Sequence, residues 1–575
     1  MNYTIKITAG KEAFSLSEND TFVSRWMSLA ETNDKTTVFQ EPAFVISWYK
    51  QYFDQFKPVL CLGYNDANEL IGLLPLALSS ESAQLVHAGD IHAEYTGWIS
   101  DKDYEQDFPA ACLIEIKKRF ALKQWHWNWL PPRARTDWLH SDSLAKAGIY
   151  VKYKKENSPL WDLKEEQKLK EARNDTIRNC INRYKRKGNF YIERIQDKEK
   201  AKKLLPILKD QCDFRQLIAH DIAPFEFNSN KFNFYLERMN FLKDNHCTCL
   251  WSGDKPIALH FGACDKNTVY LGLTSFDPTE YKNSPGALLI IELASLMMKE
   301  GYRYLDLTPG NDGYKDKFSN VQQELIKPVF YFARMEKFRA DTFVCVNVCA
   351  KKALSLAGLR PESIKRMLVH IQSCLPALQR ITFKKMIRRL LLLIHEKHTY
   401  LQYTYTFDDV SKIDSEPDVH VQNYADLLRY TGSNPWLTRT ALLAEASKRF
   451  SKGEALYSIV KDATLTHYGW VSKGAKTHKL DKVDMEFKTS PQAVVLYDFY
   501  TEPKYRRQGL YIRNIKQMLY DSFHEGYKEA YIGVLHENLP SKLAIEKAGF
   551  RLYRSFSKAR FLWITKKREI LEKSL

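Results

Sequence analysis

Between Ala493 and Tyr511 the chain reads AVVLYDFYTEPKYRRQGLY. An apolar run of strand type meets a proline turn, then a basic loop with a single glycine. Beyond it Tyr511, Ile515, Leu519 and Phe523 recur every four residues, as along one face of a helix. A helix that starts at this loop leaves its first amide N–H groups without internal partners, and the macrodipole makes that end positive. Gly509 lets a ligand approach the backbone closely, and Arg506 and Arg507 add positive charge. The chemistry such a turn offers is capture of an anion, above all a diphosphate. Asp498 on the strand and Glu502 at its end can each take a proton. Strict alternation along the strand predicts both on one face; an ordinary surface carboxylate is the plainer reading of either.

The order continues with a strand predicted over Glu529–Leu535, ending at His536-Glu537-Asn538. A helix then carries Ser541, Ala544 and Ile545 to Gly549-Phe550, and a closing strand covers Arg560–Thr565. A similar succession occurs earlier. Strands are predicted at Cys247–Trp251, Ile257–Cys264 and Val269–Phe276, followed by a helix that Ser284-Pro285-Gly286 opens and Gly301 ends, and by the strand Tyr304–Leu307. Pro285-Gly286-Ala287 either receives phosphate as the later turn does or is a plain helix start. His260, inside an apolar strand, is either a base or a core histidine. Asp306 and Lys315 lie at or beyond the carboxyl end of a strand, where α/β proteins place ligands, or else form a structural ion pair. Arg178, Arg183 and Arg186 lie on a basic helix, expected over Glu165–Lys187, that either holds a phosphate-bearing acceptor or is simply solvated.

These candidates need elements to hold them, and the composition supplies ordinary globular ones. With 575 residues, 44% hydrophobic and 13% aromatic, and only 23 Gly and 21 Pro, the chain is neither disordered nor collagen-like. Its length predicts three or four units of about 130–180 residues. No apolar run approaches the roughly 18–20 residues that span a bilayer, and MNYTIKITAG lacks the apolar stretch of a signal peptide. The expectation is a soluble, cytoplasmic protein. The ten cysteines include no CxxC pair, so neither a zinc site nor a disulfide scaffold is expected, and no metal. Net charge is +17 but uneven: residues 1–150 hold 14 Lys and Arg against 19 Asp and Glu, whereas 351–400 hold 11 against Glu362 and Glu396 alone. That basic segment is either a solvated helical face or an attractor of anionic membrane or tRNA. Boundaries are expected near 150, 340 and 400, giving units 1–150, 151–340 and 401–575 with a basic helical connector at 341–400. The fold class is α/β (α+β mixed).

Residues 401–575 resemble the GNAT acyltransferase superfamily over their whole length. Arg506-Arg507-Gln508-Gly509-Leu510-Tyr511 matches the first and fourth positions of the family loop Gln/Arg-x-x-Gly-x-Gly/Ala, and Tyr511 departs from its small last residue. Asn538, Ser541 and Gly549-Phe550 fit the later pattern Asn-x-x-Ser/Ala and Gly-Phe. The resemblance implies acetyl- or another acyl-coenzyme A as co-substrate, its diphosphate on residues 506–511 and its pantetheine along Phe499, Tyr500 and Thr501. It also implies a general-acid Tyr four residues before Gly-Phe. Ile545 stands there, so another hydroxyl or water must protonate the leaving thiolate.

Residues of about 165–320 resemble the CelD-type acetyltransferase-like domain. The likeness lies in the basic helix, Phe214-Arg215, Ala258-Leu259-His260-Phe261, Ser284–Leu289, Leu305-Asp306-Leu307-Thr308-Pro309-Gly310 and Tyr314-Lys315-Asp316-Lys317-Phe318. With residues 1–150 they look like the paired GNAT-like subdomains of Fem transferases, three such modules in all. The leading expectation is an acyl-CoA-dependent acyltransferase with two acyltransferase modules. It would transfer an acyl group, acetyl first, to an amine or hydroxyl of a small molecule or an envelope or exopolysaccharide precursor. The alternatives are an aminoacyl-tRNA-dependent transferase in the N-terminal half, and a non-catalytic platform with a membrane- or partner-binding helix at the inner face of the membrane.

Overall fold

A computed structural model describes residues 3–33, 35–310, 313–342, 395–407, 414–432, 434, 437–474, 476–561 and 564–571. The helices expected over 341–398, with their membrane and tRNA readings, lie almost wholly outside these residues. The last of them, from His395, open a strand. The chain divides into two compact units. One is Met1–Asp213, Ala223–Asp277 and Asn283–Ala353; the other is Phe214–Ile222, Pro278–Lys282 and Leu354–Leu575. Among the described residues no helix is long and apolar enough to cross a membrane.

The first unit holds two sheets. β1 (Tyr3–Ala9), β2 (Phe56–Asn65), β3 (Leu70–Ser79), β4 (Leu85–His87) and β5 (Ile99–Ser100) form an antiparallel sheet in the order β1-β2-β3-β4, with β5 also on β3. The expected hairpin of Val59–Leu76 is its centre, where a polar turn divides two apolar runs. The second sheet has eight strands: β6 (Gln124–His126), β7 (Tyr150–Asp162), β8 (Phe190–Arg194), β9 (Asn245–Ser252), β10 (Lys255–Cys264), β11 (Thr268–Phe276), β12 (Tyr304–Asp306) and β13 (Val321–Tyr331). Their order is β6-β13-β7-β12-β11-β10-β9-β8, antiparallel except for the parallel pair β11/β12. The basic helix expected over 165–187 is two helices, Glu166–Ala172 and Asp175–Lys187, because Asn174 caps the second by accepting from the amide of Ile177.

One face of the second sheet is covered by the helix Pro285–Glu300, whose Leu288, Ile291, Leu293 and Met297 meet Leu250, Ile257, Val269 and Leu305. On the other face Ala263, Tyr270 and Leu325 join Phe39, Phe44, Trp48 and Tyr95 from the first 150 residues in one apolar cluster. That cluster, at about 25 cal/mol per Å² of apolar surface buried, joins the two sheets of this unit.

The second unit repeats the plan of the second sheet. β14 (His395–Thr406), β15 (His420–Val421), β16 (Ala455–Lys461), β17 (Thr464–Lys473), β20 (Ala493–Thr501), β21 (Glu529–Leu535), β22 (Arg551–Phe561) and β23 (Ile564–Leu571) run in the order β15-β16-β17-β20-β21-β14-β22-β23. A separate hairpin pairs β18 (Thr477–Leu480) with β19 (Met485–Lys488). Again one pair, β20/β21, is parallel, and again the strand preceding the module in sequence sits beside the parallel pair: β14 here, β7 in the first unit. The protein is therefore a mixed α/β protein with two mixed sheets of one topology beside an antiparallel one.

Both mixed sheets carry the same irregularity. Between Phe261↔Leu273 and Ala263↔Tyr270, two residues of β11 (Leu271 and Gly272) face the single Gly262 of β10. Between Tyr468↔Tyr500 and Trp470↔Tyr497, Asp498 and Phe499 of β20 face the single Gly469 of β17. These are β-bulges, which bend a strand and re-aim its side chains. The glycines are sterically required. A Cβ on Gly262 would lie 2.2 Å from the carbonyl oxygen of Tyr270, and one on Gly469 2.4 Å from the ring of Phe499.

Candidate functional site

Past each bulge the parallel strands part. β11 pairs with β12 only from Thr268↔Tyr304 to Tyr270↔Asp306, and β20 with β21 only from Ala493↔Glu529 to Leu496↔Ile532. β11 then runs on to Phe276 and β20 to Thr501, so each sheet opens a wedge beside its bulge. Next in the chain come the helices Pro285–Glu300 and Leu510–His524, and no side chain caps either. Their preceding residues, Ser284 and Gly509, have φ of 52° and 77°.

In the second unit the first internal helical bond runs from the amide of Arg513 to the carbonyl of Gly509, leaving the N–H groups of Leu510, Tyr511 and Ile512 for another acceptor. Arg506, Arg507, Gln508 and Gly509 are exposed, and a Cβ on Gly509 would meet nothing within 4 Å. Arg507 is also left-handed, at φ 63°. Arg506 donates from Nε to the carbonyl of Thr501, 3.2 Å away, which ties the basic loop to the strand end.

The carboxylates expected on one face of β20 are separated by its bulge. Asp498 is left-handed (φ 50°), exposed, and paired at 2.5 Å with Arg449. Glu502 is buried and accepts from the hydroxyl of Tyr500 at 2.9 Å. The alternation rule fails here because the extra residue opposite Gly469 shifts everything after it by one position. Thr501 Oγ1 lies 2.8 Å from His467 Nδ1. His467 is buried, and among the described residues its Nε2 has no hydrogen-bond partner. Burial alone pushes its pKa down to about 3, so the ring is neutral at physiological pH.

Tyr511, where the family loop carries a small residue, packs its ring 4.6 Å from that of Phe499 and 5.8 Å from His467. Beside β21, a Cβ on Gly533 would strike the hydroxyl of Tyr400, which burial pushes up to about 12. Asn538 caps the helix Leu539–Lys547 by accepting from the amide of Ser541 at 3.4 Å, and Ile545 is fully buried in the core. Asn538 and Ser541 thus spend these groups on the helix start.

The wedge of the first unit is richer in ionisable groups. Asp306 ends β12 at 2% exposure and accepts from Tyr95 Oη (2.8 Å), the Gln323 amide (2.9 Å) and the backbone N–H of Thr308 (2.8 Å). Burial raises its pKa and these donors oppose the rise. Lys315 is buried and donates to the carbonyls of Thr308 and Pro309. His260 lies on β10 beside the bulge, fully buried, with Nδ1 and Nε2 each 3.5 Å from an oxygen, Thr248 Oγ1 and the Tyr270 carbonyl; burial pushes its pKa down to about 3. It occupies the place His467 holds in the other sheet, two residues before the bulge glycine. Arg178 pairs with Asp175, and the side chain of Arg183 folds back on Asn179 and Cys180 of its own helix.

A cleft of about 640 Å³ opens on the Asp306 side of this sheet, walled by Glu41, Arg133, Asp265, Tyr270, Tyr304 and Gln323 among others. Two carboxyls that sequence reading missed stand in or beside it. Glu41 is pushed up to about 7 by burial and by Asp244 and Asp265; Glu94 is pushed up to about 7 by burial and by Asp306. Neither falls in a motif, and both reach the mixed sheet from loops of the first 150 residues, so no local spacing could have marked them. Among the described residues no group of three or more His, Cys, Asp or Glu could hold a metal ion.

The family comparison falls on the wedge of the first unit. Residues 170–316 match the acetyltransferase (GNAT) domain model. The GNAT stretch runs from just before the basic helix to the segment after β12 and includes the bulge, His260, the Pro285 helix and Asp306. An acyltransferase domain is thereby supported for these residues. No curated protein matches the chain. Among solved structures it is similar to FemX, at 10% identity over 53% of this chain and 95% of that one (TM-score 0.38). It is similar to L-PGS from Bacillus licheniformis, at 11% over 54% and 91% (TM-score 0.33). A tandem GNAT protein from the clavulanic acid biosynthesis pathway is similar at 10% over 56% and 98% (TM-score 0.32).

Proposed function

We propose that the protein is an acyl-CoA-dependent acyltransferase with two donor-binding modules, one per mixed sheet, transferring an acyl group to an amine or hydroxyl. The observation that carries this reading is the duplicated wedge. In each sheet a bulge opposite a glycine, a parted parallel pair and an uncapped helix start follow one another in the same order. An acyl-CoA asks for these parts in that sequence: amides for a diphosphate, a gap for the pantetheine, and bulge amides for the oxyanion that forms at the thioester carbonyl. In the first unit Gly286, Ala287 and the bulge at Leu271-Gly272 would serve; in the second, residues 506–512 and the bulge at Asp498-Phe499. The cleft lined by Glu41 and Asp306 is the place for the acceptor, a small molecule or a glycan or lipid precursor.

Calorimetry with acetyl-CoA on the full chain tests this, and two sites are expected. Gly509→Asp and Gly509→Asn share a shape and a tolerance for left-handed backbone, so only charge separates them. The aspartate is expected to weaken the site of the second unit at least about tenfold relative to asparagine, since it sets like charge against the diphosphate. Equal affinities for the two variants would remove the second module from the proposal. Absence of any heat with the unaltered chain would remove acyl-CoA altogether.

A further inference from the structure

We propose that Glu94, supplied by the first 150 residues, is the general base of the transfer carried out in the GNAT-like sheet of the first unit. The proposal rests on the acyl-CoA reading above and goes beyond it by assigning the proton acceptor to a segment outside the family match.

Glu94 lies in the loop between the short helical turn Asp90–His92 and β5, next to Tyr95, whose hydroxyl is fixed on Asp306. That anchor brings the loop against the mixed sheet. Glu94 lines a small cavity of about 20 Å³ together with Gly262 and Gly272 of the bulge, His92, Arg238 and Tyr270. A space of that size admits a single water. Tyr270 lines both this cavity and the acceptor cleft.

Asp265, Asp306 and the two histidines beside this wedge are engaged. Asp306 accepts three hydrogen bonds, and Asp265 holds the hydroxyl of Tyr270 at 2.7 Å and the amides of Asn267 and Thr268. His92 Nε2 is 2.7 Å from the hydroxyl of Tyr52, and His260 is neutral and enclosed. Glu41 and Glu94 make no hydrogen bond or ion pair within the described residues, and of the two only Glu94 lines the cavity beside the bulge glycines. The charges that face it are Asp306 and Lys315 from the segment after β11 and Lys231 from the helix Ser229–Arg238, with Arg238 and His92 beside it in the cavity. Their balance with burial leaves a carboxyl that ionises near neutrality, which suits a base working at the pH of a cell.

The step balances without a further reagent. The acceptor nitrogen attacks the thioester carbonyl carbon, a C–N bond forms and the C–S bond breaks. The proton lost by nitrogen passes to the Glu94 carboxylate, directly or through the cavity water, and the coenzyme leaves as thiolate. With water as acceptor the same step gives a carboxylic acid.

The test uses the full chain, acetyl-CoA as donor and water as acceptor, with thiol release followed under single-turnover conditions. Glu94→Gln is expected to slow release about 100-fold or more and to abolish its rise with pH through about 7, while acetyl-CoA affinity by calorimetry stays unchanged. Hydroxylamine, unprotonated at pH 7 and needing no base, is expected to restore turnover of the variant. A variant that releases thiol at the unaltered rate with the same pH profile overturns the assignment. So does one that binds acetyl-CoA normally yet is not rescued by hydroxylamine, since that marks a purely structural role. If the unaltered chain binds no acetyl-CoA, the donor reading fails and this base falls with it, an outcome the calorimetry separates from the other two.

Discussion

Replacing Asp306 with alanine is expected to cost the first unit about 3–5 kcal/mol of stability, read from urea unfolding followed by tryptophan fluorescence. The size follows from what the carboxylate holds. Three donors converge on it from three parts of the chain: Tyr95 from the loop before β5, Gln323 from β13, and the backbone of Thr308 just after β12. Removing this acceptor leaves the Tyr95 hydroxyl and the Thr308 amide without the carboxylate and the Gln323 amide with only its 3.2 Å bond to Tyr95 Oη, and that penalty exceeds the modest gain of making the bonds in the first place. Thr308 suffers further, because its left-handed backbone (φ 65°) is held in part by the bond its amide gives to Asp306. Asparagine keeps one carbonyl oxygen for Thr308 but turns an NH₂ toward donors, so Asp306→Asn should lose about half as much. Tyr95→Phe should lose about 1–3 kcal/mol, because its hydroxyl both donates to Asp306 and accepts from the Gln323 amide at 3.2 Å. A loss below about 1 kcal/mol in the alanine variant would mean that the carboxylate is not what joins the first sheet to the second.

The second large effect is on pH dependence. His87, His92 and His260 are buried in the first unit and each is pushed down to about 3, chiefly by burial. Folded chain therefore binds fewer protons than unfolded chain at these positions below pH 6.5, and stability is lost as the pH falls toward 3. Glu41 and Glu94 act oppositely. Held near 7, they keep their protons in the folded state where the unfolded chain has lost them, so between about pH 4.5 and 7 they add stability as the pH falls. Between pH 6.5 and 4.5 unfolding thus takes up protons at these histidines and releases protons at the two glutamates, so the two sets oppose one another.

Glu41→Gln combined with Glu94→Gln removes the opposing pair. The slope in that window should steepen, and at pH 8 the double variant should be the more stable protein because two desolvated charges are gone. Urea midpoints measured at pH 4.5, 5.5, 6.5 and 8 would show it. Parallel curves for the double variant and the unaltered chain would mean that these carboxyls titrate as exposed ones do.

How much of this was legible beforehand depended on whether the signal was local. The hairpin of β2 and β3 could be read because Val59–Tyr64 and Leu70–Leu76 flank the polar turn Asn65–Asn68, and the helix Pro285–Glu300 because Pro285 and Gly301 mark its ends. The turn at Arg506–Tyr511 was placed correctly at a helix start, and its amides are indeed uncapped. β7 and β14 escaped notice for a physical reason. YVKYKKENSPLWD and HEKHTYLQYTYT are rich in charge and hydroxyls, and each becomes a strand because a neighbour lies on both of its edges. The bulges escaped too, since alternation assumes a regular strand and the extra residue opposite Gly469 is visible only once pairing is known. Glu41 and Glu94 are the extreme case. Nothing in their surroundings in sequence differs from a loop carboxylate, and their altered acidity comes first from burial and then from groups as remote as Asp265 and Asp306.

The position of β7 bears on how the molecule can be cut. The residues that match a known domain begin after this strand and stop before β13, yet β7 lies between β12 and β13 with a ladder on each side. A fragment trimmed to the matching stretch would carry a torn sheet, its β12 edge bare and ready to recruit foreign strands. Its makers would meet inclusion bodies and blame the solvent. The smallest heritable piece of the first unit is wider than its signature: gene fusion, truncation or transfer can respect it only by taking the preceding strand along.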